Sequence, residues 1–382
     1  MKKGGDSFFG QLIAIYFLSR VLLALIGSLS LFYFPSARAL FPIADLEYHK
    51  PQPVLLEMWA RWDSEWYLLI AEKGYLAYDS FKQQGHGKYL PQDTAKFFPA
   101  YPVAIRFLTL LSGNSVLSGW LLSNLTALLF LYYFYRISSN LFDDETALRG
   151  VLFLIFFPTS FFLNAVYSES LFLCALLASF YYLGQKRLLT ACVALAVAVL
   201  TRPQGILALP ALLWLAFRQM PDKKGSAALI LPLSALIPAA GYLLYLHQTF
   251  GSSQWVALSQ NYWRGEMRYP LYALVRFAQS DVAIHGQHNS LIDFSFAVAQ
   301  LLVLALSIRK IPGPYYVYSI IIVIFPLFSS LFSFSRLCLI NFPFFLYLGA
   351  RITGRWAFVM QIFFAMLLAF FMAAFANWYW VG

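Results

Sequence analysis

The sequence predicts an all-α integral membrane protein that crosses the bilayer many times. Three observations predict it. Of 382 residues, 60% are hydrophobic and only 12% charged, about half the charged share of a soluble domain. Apolar runs near the roughly 20 residues that cross a bilayer recur from end to end. Lys and Arg gather in the short segments between these runs, as they do in cytoplasmic loops. The net charge of +10 is explained by that sidedness. No basic run with interleaved aromatics offers a surface for nucleic acid, so no such partner is expected.

The first run covers residues 8–34, behind Lys2 and Lys3. Ala37-Arg38-Ala39 imitates a signal-cleavage site, but the run far exceeds a signal core of about 7–15 residues, so a retained span is expected. Residues 35–96 form the first outer loop, expected to hold interfacial helices. Residues 97–111 have Pro99 and Pro102 near their start. If they crossed, every later basic loop would face outward. A helix lying in the outer interface or re-entering is therefore expected there. The later spans are 115–135, 147–163, 166–184, 188–200, 204–217, 226–246, 291–308, 315–334, 337–350 and 356–377, eleven in all with the first. Residues 188–217 lie between the basic stretches "GQKR" and "FRQMPDKKG", which places both ends in the cytoplasm. A hairpin turning at "TRPQG" is expected rather than one long helix. A second long outer segment covers 250–290, and residues 1–382 form one polytopic domain without internal repeats.

This sidedness brings the polar clusters to the outer face: residues 61–65, "KFFPAYP" (96–102), "NAVYSES" (164–170), "TRPQG" (201–205), "NYWRGE" (261–266) and "FSR" (334–336). Asp63 and Glu65 lie in "RWDSEWYLLIAEKGY". On a helix Glu65 can pair with Arg61, whereas Asp63 has no basic residue at that spacing. An unpaired carboxylate at the apolar boundary suits a proton acceptor, with Glu65 as a second choice. Trp62, Trp66, Leu69, Ile70 and Lys73 form a stripe suited to a helix lying along the membrane surface. Glu169 complements a helix dipole in a first turn and also suits a polar pocket with Asn164, Tyr167 and Ser168. Arg202 and Arg336 lie at the outer ends of spans with no acid nearby in sequence. Charge at that depth is costly unless it meets a cavity or a partner, and guanidinium fits a phosphate. Arg264 and Arg268 are weaker candidates of the same kind. Tyr101 and Gln204 complete the expected pocket with Arg61 and Trp62. Cys174, Cys192 and Cys338 read as buried thiols, and His285 with His288 as an ordinary loop pair, so neither a disulfide nor a metal site is expected. No Gly-rich phosphate loop, GxSxG or HExxH occurs.

Together these features suit transfer of a group from a lipid phosphate to a hydroxyl. "RWDSEWYLLIAEKGY", "KFFPAYPVAIR", "NAVYSESLF", "TRPQG" and "SRLCLINFP", in that order from about residue 61 to 345, resemble the PIG-V family. That family comprises the second mannosyltransferase of GPI-anchor assembly and its prokaryotic relatives. The resemblance implies the GT-C fold, with interfacial helices on the outer side, and no cofactor. It also implies a glycosyltransferase that takes its sugar from a polyprenyl- or dolichyl-phosphate donor and works outside the cytosol on a lipid-linked or glycan acceptor. In that fold an acid of the first outer loop is the base, a role that falls on Asp63. The chain is shorter than the GPI enzymes and has "TRPQG" where they tend to have "TRSNG". Both departures point to a prokaryotic relative in a plasma membrane rather than in the endoplasmic reticulum, with mannose the first candidate sugar. A transporter of lipids or lipid-linked sugars would instead place polar residues in mid-span. A non-catalytic subunit of a glycosylating complex would tolerate loss of Asp63.

Overall fold

The computed structural model describes residues 5–38, 52–75, 91–252, 254, 256, 257, 261, 264–284, 286 and 288–382. Two stretches of the first outer loop, 39–51 and 76–90, and His285 lie outside the described residues.

Helix α1 (Gly5–Tyr33) is followed by the single-turn α2 (Val54–Glu57) and by α3 (Asp63–Lys73). A 3-10 turn, Pro91–Lys96, leads into α4 (Ala100–Ser112), which stops at Gly113 with φ +69°, the left-handed stop that glycine accepts. Asn114 then caps α5 (Ser115–Leu141) by accepting from the Leu117 amide at 3.0 Å. Asp143 does the same for α6 (Asp144–Ile155), taking the Thr146 amide at 2.7 Å. These side chains satisfy amide donors that have no partner within their helices. Next come α7 (Glu169–Gly184), α8 (Leu188–Thr201), α9 (Leu209–Gln219) and α10 (Lys224–Phe250). The last third comprises α11 (Tyr272–Ala278), α12 (Leu291–Leu306), α13 (Gly313–Ile324), α14 (Phe334–Leu337), α15 (Phe342–Arg351) and α16 (Gly354–Ala376).

Every predicted apolar run contains helix, yet eleven full spans do not follow from the helix lengths. Among the described residues four helices are long and apolar enough to cross a membrane: Gly10–Tyr33, Ser115–Leu141, Pro221–Phe250 and Gly354–Ala376. The other runs are broken by proline and by 3-10 turns. Pro158 precedes the turn Ser160–Leu163, Pro203 opens Pro203–Ala208, and Pro326 lies in Phe325–Phe328. Each removes a backbone donor and ends a helix that composition alone would continue. Large apolar side chains are exposed along the long helices, including Leu125, Leu129, Ile237, Phe363, Met366 and Phe370. That is the surface of a multi-pass membrane protein whose outside meets lipid tails.

The core lies where α5, α7 and α8 pack side by side and α15 crosses α6. At that crossing a Cβ on Gly349 would sit 2.7 Å from the Thr146 carbonyl oxygen, so only glycine permits the approach. The predicted break at "TRPQG" is present. α8 ends at Thr201, Arg202 is extended, and Gly205 returns so closely that a Cβ on it would lie 2.8 Å from the Val199 nitrogen. Helix α4 has 13 residues, about 20 Å of helix and too short to cross upright.

One expectation fails. α3 does not bury one apolar stripe and leave the rest open, because Ser64 through Ala71 are all buried. α4 covers it, with Tyr67 set edge-on to both Phe97 and Tyr101 at 5.0 Å. The helix is a buried support for its own first residue, Asp63.

Candidate functional site

Asp63 begins α3 straight after an unusual backbone. Trp62 has φ +58° and ψ −116°, a conformation a bulky residue adopts only when its surroundings force it. The surroundings are visible. The Tyr167 hydroxyl donates to the Arg61 carbonyl at 3.1 Å and accepts from the Asp63 amide at 3.2 Å, so one buried hydroxyl stitches the chain on both sides of Trp62. The indole of Trp62 packs against Trp378 and Trp380, with ring centres 5.9 and 5.5 Å away. Turned this way, Asp63 meets residues from three distant parts of the chain.

They form an alternating relay of charge. Arg336 Nη1 donates to Asp63 Oδ2 at 2.6 Å, Arg336 Nε donates to Glu169 Oε1, and Arg202 Nη1 donates to the same Glu169 oxygen at 2.5 Å. Glu169 is the first residue of α7, Arg202 the link that ends α8, and Arg336 part of α14 just beyond Ser333, itself at φ +60°. Two carboxylates and two guanidiniums sum to zero, which is how charge is tolerated at this depth. The side-chain exposures are 29% for Asp63, 7% for Arg336, 0% for Glu169 and 12% for Arg202. The relay is therefore sealed in the middle and open at its two ends. Arg202 Nε and Nη2 and Arg336 Nη2 make no hydrogen bond to a described residue, which leaves guanidinium donors for an incoming anion.

The walls hold these groups in place. The Arg336 guanidinium lies over the Tyr167 and Phe162 rings, 4.5 and 5.1 Å from their centres. Tyr67 pairs its hydroxyl with Ser168 at 2.7 Å, and burial pushes it up to about 12, so it stays a neutral hydrogen-bond donor. Asp293, on α12, accepts from both the amide and the hydroxyl of Ser335 at 2.8 Å and so fixes the residue before Arg336. Arg264 reaches the Ser330 carbonyl at 3.4 Å, and burial lowers it to about 10 against the pull of Asp293. Burial likewise brings the Lys96 ammonium down to about 8, with Asp63 the leading charge opposing that fall.

The structure thus brings together Asp63, Glu169, Arg202 and Arg336, with Tyr167 behind them, and revises several expectations. Asp63 is not unpaired, and neither arginine lacks an acid: the partners come from far along the chain. Arg61 pairs with Glu57 at 3.1 Å, and Glu65 is a further acid acting on its guanidinium. Its Nε also donates to the Ala376 carbonyl at 3.2 Å. Glu65 is buried, as is Trp62. Asn164 and Tyr101 lie behind the pocket rather than lining it. Asn164 is bonded to Arg20 and Asn124, and Tyr101 to Ser123 and the Gly119 carbonyl. Gln204 stands two residues beyond Arg202, half-buried, with Oε1 making no hydrogen bond. Arg264 comes toward the cluster. Arg268 stays exposed beside Tyr272. His288 meets the Ser330 hydroxyl at 3.3 Å. Among the described residues no three His, Cys, Asp or Glu side chains gather as metal ligands. The three cysteines are free thiols. Sequence reasoning passed over Asp293 and Lys96. Asp293 stands alone in the apolar stretch "LIDFSF", a signal in itself, since an ionisable residue within an apolar run marks a site by default.

A family model described as Mannosyltransferase (PIG-V) matches residues 49–223, which bears out the resemblance seen in the motifs. The matched stretch holds Asp63, Tyr167, Glu169 and Arg202 but not Arg336. Among curated proteins none matches the sequence. Among solved structures the chain is similar to the oligosaccharyltransferase of Archaeoglobus fulgidus. The apo form is 12% identical with a TM-score of 0.45, over 95% of this chain and 56% of that one. The same enzyme tethered to an acceptor peptide gives 12%, 0.44, 95% and 55%, and its complex with Zn and sulfate 12%, 0.44, 95% and 53%. The chain thus spans little more than half the length of these structural neighbours.

Proposed function

We propose that the chain is a GT-C-type membrane glycosyltransferase. In this reading it moves a sugar, mannose first among candidates, from a polyprenyl- or dolichyl-phosphate donor to a hydroxyl of a lipid-linked or glycan acceptor on the outer face. The family match over residues 49–223 supports the reaction class. The observation that carries the mechanism is the relay Asp63–Arg336–Glu169–Arg202, with a carboxylate open at one end and free guanidinium donors at the other.

The Asp63 carboxylate accepts the proton of the acceptor hydroxyl as its oxygen bonds to the anomeric carbon. The bond from that carbon to the phosphate oxygen breaks with its electron pair, and the configuration inverts. Arg202 and Arg336 receive the charge that develops on the leaving lipid phosphate. Glu169 bonds neither reacting group; it holds both guanidiniums at fixed positions, so little reorganisation is needed as the charge appears. Tyr167 fixes the Asp63 backbone in the same sense.

The test is Asp63→Asn in purified protein given a polyprenyl-phosphate sugar and candidate acceptors. Loss of a general base lowers turnover by about 10²–10⁴, with donor binding retained. Near-normal transfer by this variant would overturn the assignment of the base.

A further inference from the structure

The chain that follows α16 folds back over the relay. Asn377 fixes its start: the side-chain amide donates to the Ser30 hydroxyl at 3.0 Å, and the carbonyl accepts from the Ala37 amide at 2.9 Å. Trp378 then turns the backbone at φ +67°, a conformation that a bulky residue adopts only when its contacts hold it there. Those contacts come from the first outer loop, where Arg61 and Arg38 lie over its ring, 4.9 and 5.6 Å from the centre. Gly382 rests against the Phe162 ring, and a Cβ on it would sit 3.2 Å from the Cβ of Arg336. Between these two anchors stands Trp380. Its ring centre lies 5.5 Å from that of Trp62 and 5.9 Å from the Arg336 guanidinium. Phe332 is parallel to it within 18°, with ring centres 6.1 Å apart, an offset stack. Of the rings gathered here, Trp62, Trp378, Phe162 and Tyr167 are buried, while Trp380 and Phe332 are half-buried. The Nε1 edge of Trp380 is enclosed and finds no hydrogen-bond partner among the described residues. What this side chain can present is ring carbon.

We propose that residues 377–382 complete the site, and that Trp380 and Phe332 form a platform on which a pyranose ring of the acceptor stacks while its hydroxyl meets Asp63. The proposal rests on the glycosyltransferase reading and narrows the acceptor to a sugar, as against the hydroxyl of a peptide or of a glycerol backbone. The chemistry of an aromatic face selects for this. The ring carries negative charge density on its faces. A pyranose offers one side of axial C–H bonds, apolar and weakly positive, and keeps its hydroxyls free around the rim. A phosphate is repelled by the same face, and a small alcohol has no ring to lay on it. Position separates acceptor from donor. Trp380 packs on Trp62, the residue before Asp63, and beside Arg336, which bonds Asp63 at 2.6 Å. Among the described residues none of its ring contacts involves Arg202, at the other end of the relay. A sugar on this platform is therefore beside the group that takes the acceptor's proton.

Binding and transfer are measured separately. The binding probes are the methyl pyranosides of mannose, glucose, galactose and N-acetylglucosamine, with glycerol as the ringless control. Saturation-transfer NMR follows them on the protein in nanodiscs. At least one pyranoside is expected to bind, with saturation concentrated on the C–H protons of one ring face, while glycerol does not. Trp380→Leu keeps apolar bulk but removes the aromatic face. It is expected to weaken that pyranoside about tenfold, the scale of one aromatic stack, and to erase the one-face pattern. Trp380→Tyr restores most of the loss. Phe332→Leu, at the second ring, weakens binding about threefold and gives an independent reading should the first variant not fold. With polyprenyl-phosphate mannose as donor and the same pyranoside as acceptor, Trp380→Leu raises the acceptor KM and leaves the donor KM as in the wild type. Pyranosides that bind no better than glycerol, or that bind both leucine variants as they bind the wild type, would defeat the proposal. So would a change in the donor KM in place of the acceptor KM. Pyranoside binding that depends on Trp380, in a protein that transfers no sugar to any acceptor, would sink the transferase reading and leave the platform standing. Transfer that needs Asp63 but ignores Trp380 and Phe332 would do the reverse.

Discussion

Glu169 concentrates two bonds on one atom. Oε1 accepts from both arginines, while Oε2 is buried and makes no hydrogen bond. Removing this charge leaves two guanidiniums facing each other in a sealed interior, where breaking one pair alone costs about 3–5 kcal/mol. Glu169→Gln is therefore expected to lower the melting temperature in detergent sharply. Asp63→Asn, at the exposed end of the relay, shifts it little. A scanning-fluorimetry comparison of the two checks this, and equal melting temperatures would show that Glu169 does not hold the relay. The individual candidates, Asp63, Glu169, Arg202 and Arg336, were legible in the sequence because each lies in a short polar cluster of an otherwise apolar chain. Their pairing was not. Asp63 and Arg336 are 273 residues apart, and helical spacing reports only partners three or four positions away.

At the level of elements, the turn between α8 and α9 sets where Arg202 points. Thr201 ends the helix, Arg202 is extended, Pro203 opens a 3-10 turn, and Gly205 rests on the Val199 backbone. Gly205→Ala places a methyl 2.8 Å from the Val199 nitrogen, and backbone cannot step aside as a flexible side chain can. The cost is about 1–3 kcal/mol, together with loss of turnover as Arg202 swings off Glu169. A melting curve and a donor KM measured on the same preparation check both effects. The break itself was readable from basic residues at both ends of the run and from "TRPQG". Helix lengths were not, because hydropathy counts apolar residues and is blind to the 3-10 turns that interrupt them. The one-stripe reading of α3 failed for a related reason. Tryptophan beside charge suits a membrane interface, yet the same side chains fill a core once α4 lies across them.

For the molecule as a whole, sidedness remains the inference on which the others stand. Asp63, Glu169, Arg202 and Arg336 come from the first loop, the start of α7, the end of α8 and α14, and they meet in one relay. Chain ends and helix ends scattered over both faces of a bilayer do not meet in this way, so the four share one side. Positive charge in the connecting segments is the ground for proposing that this side is the outside. Labelling with a membrane-impermeant maleimide tests the assignment, since Cys192 and Cys338 are buried and Cys174 is half-buried, which keeps the background low. Glu266→Cys and Asp222→Cys are both at exposed positions. Glu266→Cys, in the second outer segment, is expected to label in intact cells. Asp222→Cys, in the basic loop between α9 and α10, should label only after permeabilisation. The opposite pattern would turn the molecule over and place the relay in the cytosol, where a lipid-phosphate sugar would have to be presented from the inner leaflet.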